Sequence, residues 1–185
     1  MNYQSGYIKE ICSFYASDCH LATMMLPYLA KQVKIQTNIE TILDKDILQY
    51  ISKLLEKINV EENLKEQILK INWNNLDINQ IDIEKYIIKN LKIKSQNILI
   101  IKTSKNNFIN NQINQFIKRK SDYIIKNNIK LNIIYCYNIQ NLENMDDIIN
   151  KYEYVLNTSG IHQVKDVFKH NIKDDAQIIN NKFVV

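Results

Sequence analysis

The most constraining stretch is "QNILIIKTS", residues 96–104. Ile98, Leu99, Ile100 and Ile101 follow one another without a polar break. A strand alternates its side chains between two faces, so this one is apolar on both and must be covered on both. The next residues, "NNFINNQINQFIKRKSDYIIKNN", change period. Phe108, Ile109, Ile113, Phe116, Ile117, Tyr123 and Ile124 fall on one side of a long helix. "IKLNIIYCYNI" then returns to strand. A buried strand, an amphipathic helix and another buried strand form the unit of a parallel sheet.

The same alternation runs through the chain. "IKEICSFYA", residues 8–16, reads as a strand apolar on both sides. Ser17 suits an N-cap, Asp18 places negative charge in the first turn, and a helix runs to about Gln36. Pro27 lies inside that helix and predicts a kink, because it leaves the Thr23 carbonyl without its helical partner. "NIETILD", residues 38–44, reads as a second strand. A helix with Ile47, Ile51, Leu54, Leu55 and Ile58 inward follows, then a short helix "EENLKEQILK". "INW", residues 71–73, reads as a short third strand, and "IDIEKYIIKNLKIKS" as a helix. "NLENMDDIINKY" is a helix and "EYVLNTSG" a strand ending at Gly160. "HQVKDVFKH" is a last helix, and the tail, residues 171–185, suits an edge strand. The fold expected is a single α/β domain over residues 1–185, with a three-layer, mostly parallel sheet and helices on both faces. Right-handed crossovers gather the strand-to-helix turns on one edge, near residues 15–20, 43–46, 102–106, 137–141 and 157–162. Ligands of open α/β sheets bind at that edge.

Composition sharpens the loops. The 185 residues include only 2 Gly and 1 Pro, so turns that need positive φ must lean on Asn, Asp and Ser. The net charge is +4, short of the clustered excess that nucleic-acid binding shows. The most basic stretch, "IKRKSDYIIKNNIK", fits a solvated helix face. Cys12, Cys19 and Cys136 are odd in number, and no signal peptide precedes them. Reduced thiols and a cytoplasmic location are therefore expected. No apolar run approaches the ~20 residues of a membrane span, so no membrane role is expected.

Little catalytic chemistry stands out. "YASDCH", residues 15–20, occupies the place of a phosphate loop but has neither Gly nor Lys, and Asp18 repels phosphate. P-loop nucleotide hydrolysis is not expected on that ground. Cys19 and His20 are adjacent on a helix and point about 100° apart, which prevents a direct nucleophile–base pair. His20 either meets a ligand or is satisfied by local backbone. The cysteines and His20, His162 and His170 lack metal-ligand spacing. Asp44, Asp46, Asp146 and Asp147 are scattered. "NTSG", residues 157–160, reads as an ordinary turn or as an amide cradle for a polar ligand. Tyr15, Tyr28, Tyr135 and Tyr137 line either the core or a pocket at the sheet edge.

Several segments in order resemble the MEDS sensory domain of methanogen and methylotroph regulators. They are "ICSFYASDCHLATMMLPYLAKQV", with its Leu26, Pro27, Tyr28 and Leu29 element, then "NIETILD", "ILKINW", "ILIIKTSKN" and "IKLNIIYCYNI", with Cys136 and Tyr137. The resemblance covers residues 8–140. Two departures stand out: "KTSKNN" replaces the family's Gly-Glu-Met, and "KIQTN" replaces a glycine-bearing loop. The resemblance implies a RecA-like core lacking a Walker A loop, and a sensory or regulatory role through a small ligand or a regulatory protein partner. The departures imply a ligand that differs from the family's or is absent.

The combined expectation is a non-catalytic regulatory protein with no cofactor and no metal, and with a homodimer left open. Its site at the C-terminal edge of the sheet comprises Tyr15, Ser17, Asp18, His20, Thr103, Ser104, Tyr137 and Asn138. Two alternatives remain. One is a small interaction protein, an inhibitor or adaptor without a ligand. The other is a small-molecule enzyme using His20 with Cys19 or Asp44.

Overall fold

The computed structural model describes residues 7–43, 46–73, 82–103 and 108–168. Strands and helices alternate as β1 (Ile8–Tyr15), α1 (Asp18–Lys34), β2 (Asn38–Ile42), α2 (Asp46–Lys57), α3 (Glu62–Leu69), α4 (Ile83–Asn90), β3 (Gln96–Lys102), α5 (Phe108–Lys126) and β4 (Lys130–Asn138). A 3-10 turn at Ile139–Asn141 leads to α6 (Met145–Ile149), β5 (Tyr154–Asn157), β6 (Gly160–Gln163) and α7 (Val164–Val167).

The six strands form one sheet in the order β2-β3-β4-β1-β5-β6. The first five are parallel, and β6 returns antiparallel on β5. The mostly parallel α/β sheet is consistent with a three-layer RecA-like arrangement. Alternation along each strand divides the core in two. Ile11, Tyr15, Ile98, Ile100, Ile134, Cys136 and Leu156 pack with residues of α1, α2 and α3 on one face. Cys12, Leu99, Ile101, Ile133, Tyr135, Tyr137 and Val155 pack with residues of α4, α5, α6 and α7 on the other.

Scarce glycine shows at the helix ends. Gln36 and Asn128 hold φ of 56° and 51°. Behind α1, the Gln36 N–H reaches the Val33 carbonyl and the Thr37 N–H reaches Gln32. Behind α5, Asn128 and Ile129 bond to Ile125 and Ile124 in the same pattern. Both are Schellman motifs at a position that usually carries glycine. At the opposite edge from the strand-to-helix turns, Asn97 is 1% exposed and organises the loop before β3. Its Oδ1 accepts from Asn38 Nδ2 and the Lys92 N–H, and its Nδ2 donates to the carbonyls of Lys92 and Ser95.

Some elements differ from expectation. Residues 71–73 make one parallel bridge, Asn72 to Glu40, instead of a strand. The Thr41 hydroxyl and Glu40 carboxylate both hold Asn72 there. The helix after residue 81 starts at Ile83, capped by Asp82, and stops at Asn90 because Leu91 turns extended. β5 ends at Asn157, whose Oδ1 accepts from the N–H and hydroxyl of Ser159. Gly160, at φ 123°, then opens β6, so His162 and Gln163 are strand and α7 shortens to one turn. α1 runs through Pro27 to Lys34 as one helix. The expected tail strand lies outside the described residues, as do Asp44, Ser104 and His170.

Candidate functional site

β1 and β4 are neighbours in the sheet, but the chain leaves them on opposite sides. α1 packs on one face after β1, and α6 packs on the other after β4. Helices that diverge from adjacent parallel strands leave a crevice at the strands' C-terminal ends. Two groups of side chains meet there.

On the α6 side is a cavity of about 560 Å³. Thr103, Tyr137 and Asn138 line it, together with residues 140–144, Asp147 and Ile148. The chain fixes these walls locally. The Thr103 N–H and hydroxyl both donate to the Cys136 carbonyl, at 3.0 and 3.1 Å, which ties the end of β3 to β4. Asn138 caps the 3-10 turn by accepting from the Gln140 N–H. Asn144 caps α6 in the same way through the Asp146 N–H. Tyr137 is 3% exposed, and its hydroxyl pairs with that of Tyr152 at 2.7 Å. Beneath this pair, the Tyr135 hydroxyl donates to Glu10, and the Tyr135 and Tyr152 rings are 5.5 Å apart. Burial is the main cause that pushes the Tyr137 phenol up to about 12. It also raises Tyr152 and Tyr135, with the Glu10 charge adding to both.

On the α1 side, Tyr15 is 1% exposed and belongs to the core under α1. The Ser17 hydroxyl caps α1 by accepting the His20 N–H at 3.2 Å. The imidazole of His20 folds back, and its Nδ1 accepts the Ala16 N–H at 3.0 Å. Asp18 Oδ1 accepts from Lys102 Nζ at 2.9 Å. The same ammonium stands 5.8 Å from the centre of the Tyr15 ring. Lys102 continues the alternation of Ile98 and Ile100, which is why it emerges toward α1 while Thr103 lines the cavity on the other side.

The expected residues therefore separate. Thr103, Tyr137 and Asn138 share the cavity, whereas Tyr15, Ser17, Asp18 and His20 surround the end of β1. Ser104 lies outside the described residues. Lys102, Tyr152, Glu143, Asn144 and Asp147 were missed. The signal for Lys102 was a lone charge closing an otherwise apolar strand.

Cys19 is exposed, while Cys12 and Cys136 are buried, and burial pushes both buried thiols up to about 12. In the β5–β6 turn the Ser159 hydroxyl lies 2.8 Å from His162 Nε2, but it also lies 2.7 Å from Asn157 Oδ1. Among the described residues, no group of three His, Cys, Asp or Glu side chains could hold a metal ion. No helix of the described residues is long and apolar enough to cross a membrane.

Compared with protein-family models, curated proteins and solved structures, the chain matches none.

Proposed function

We propose that this is a non-catalytic regulatory protein of sensory type, working in the cytoplasm, that binds a small ligand at the C-terminal edge of its sheet. The MEDS-like segments of the sequence point the same way. The observation that carries the proposal is the cavity of about 560 Å³ beside the crevice between β1 and β4. Its size suits a small organic molecule. Its walls combine the apolar side chains of Leu142 and Ile148 with the polar groups of Thr103, Asn138 and Asn144. Binding is favoured over catalysis because His20, at the start of α1, has Nδ1 engaged by the Ala16 N–H.

A protein partner at the same edge is the second reading. Ile139 and Phe108 are 45% and 42% exposed, and each begins the segment that leaves this edge. Large exposed apolar side chains are what a partner would cover.

Native mass spectrometry of the protein purified from its own cells tests both readings. Thermal melting across a metabolite library completes the test. A small-molecule adduct that disappears in Gln140→Trp, which fills the cavity, supports the sensor. A stoichiometric protein adduct supports the partner. No adduct of either kind, with melting unchanged across the library, sinks the proposal.

A further inference from the structure

The opposite edge of the sheet carries a groove of about 400 Å³ where β2 begins. Val33, Ile39 and Ile71 give it apolar walls, and Lys70, Lys92 and Glu40 add charge. Side chains fix the turns around it. Behind α1, the Thr37 hydroxyl donates to Gln32 Oε1 at 3.1 Å. Before β3, Asn97 clasps Lys92, accepting its N–H at 2.8 Å and donating to its carbonyl at 3.0 Å. Behind α3, Asn72 is held by the Thr41 hydroxyl and the Glu40 carboxylate. A surface fixed in this way loses little freedom when something binds it.

Apolar side chains stand out from these turns. Ile35 and Ile93 are 60% and 52% exposed, the two most exposed large apolar residues among the described ones, and Leu69 is 41% exposed. Each adjoins in the chain a residue that lines the groove: Gln36, Lys92 and Lys70. Single exposed apolar residues are ordinary. Three beside one groove, on turns that cannot fold them inward, mark a surface that something covers. Exposed lysines accompany them, Lys34, Lys70, Lys92 and Lys94. Glu40, the one carboxylate among the described residues that line the groove, already accepts from Asn72 and Tyr86 at 2.7 Å. Two copies meeting symmetrically through this face would set lysine against lysine, which disfavours a second copy. A flat bilayer would touch the rim and leave the concavity unfilled.

We propose that this groove docks a segment of another protein that carries large apolar side chains flanked by carboxylates. The apolar side chains cover Ile35, Leu69 and Ile93, and the carboxylates meet the lysines around them. The inference concerns the edge where the strands begin. It stands whether or not the cavity at the other edge holds a ligand.

The test pans the full chain against a displayed library of random peptides and synthesises the enriched sequence as the probe. Enriched peptides are expected to combine Leu, Ile or Phe with Asp or Glu. Ile35→Ser, Ile93→Ser and Lys92→Glu are each expected to bind that peptide about tenfold more weakly or worse. Ile139→Ser, at the other edge, is expected to bind it as wild type does. All four positions are exposed, so Tm should stay near that of wild type, and a variant that does not fold leaves the others to decide. No enrichment, enrichment of basic or wholly polar peptides, or equal binding by the folded variants overturns the proposal. So does loss of binding in Ile139→Ser alone. A concentration-dependent dimer that Ile93→Ser dissolves assigns the face to a second copy and overturns it too. Binding to phosphatidylserine vesicles that Ile93→Ser abolishes does the same in favour of a membrane.

Discussion

Lys102 ends β3 and Asp18 opens α1 after β1, a strand that does not touch β3, yet across 84 positions of chain Nζ and Oδ1 lie 2.9 Å from each other. The ammonium crosses above the end of β4, which separates β3 from β1. The contact clamps the end of β3 to the start of α1. Both side chains are partly buried, so the pair belongs between the ~0–1 kcal/mol of exposed ion pairs and the ~3–5 kcal/mol lost when a buried pair is broken. A double-mutant cycle with Asp18→Asn and Lys102→Met, read by urea denaturation, is expected to give a coupling of about 1–2 kcal/mol. A coupling indistinguishable from zero would remove the clamp from the account.

Alkali is expected to destabilise the fold. Tyr28 and Tyr137 are pushed up from 10.0 to about 12, and Cys12 and Cys136 from 9.0 to about 12, in each case mainly by burial. Between the unfolded and folded values the unfolded chain has lost these protons while the native chain retains them. Unfolding then releases protons, and stability falls as pH rises. The contribution is intact below about pH 9 and drains away between pH 9 and 12. Urea unfolding at pH 8, 9.5 and 11 checks the sign, and equal stability at all three contradicts it.

The thiols should divide into one fast and two slow. Cys19 is exposed at the start of α1, whereas Cys12 and Cys136 are buried on opposite faces of the sheet with raised pKa values. The thiolate is the reactive form. Brief alkylation of the native protein followed by peptide mass spectrometry should mark Cys19 alone. The other two should react only at the rate of unfolding. Prompt labelling of Cys136 would mean that the core beneath α1 opens far more readily than its burial indicates.

Gln36→Gly should stabilise the protein. Gln36 holds φ 56° at the end of α1, where a side chain costs roughly 1–2 kcal/mol relative to right-handed backbone. Glycine also loses more freedom on folding, so the expected net gain is about 0.5–1 kcal/mol. Asn128→Gly, at φ 51°, should gain less because asparagine tolerates this conformation. A shift in the denaturation midpoint at unchanged m-value measures both. Loss of stability in Gln36→Gly would show that the Gln36 side chain contributes more than its backbone strain.

What the sequence made legible follows from local physics. The unbroken apolar run at residues 98–101 required a strand covered on both sides, and β3 is one. Ser17 announced the start of α1 because its hydroxyl sits where the helix leaves amides unpaired. Relations set by strand order were not legible. Lys102 meets Asp18 only because β4 inserts beside β1, a pairing that no periodicity encodes. β6 escaped notice because it is four residues long and follows a turn built by the Asn157 side chain. Asn72 looked like part of a strand, but a side-chain carboxylate and a hydroxyl hold it where a ladder was expected. For the site, the edge itself was readable from the alternation of elements. The division of its residues between two sides of the sheet was not, since it depends on which face each crossover takes.

The central position of β1 has a consequence during synthesis. Its ladder partners are residues 131–138 of β4 and 154–156 of β5, so β1 is made long before either neighbour. At translation speeds of ~5–20 residues per second the wait is on the order of ten seconds. Throughout that time β1, apolar on both faces, is out of the ribosome without either of its sheet neighbours. An exposed apolar strand of this kind makes the nascent chain prone to aggregate until its partners arrive.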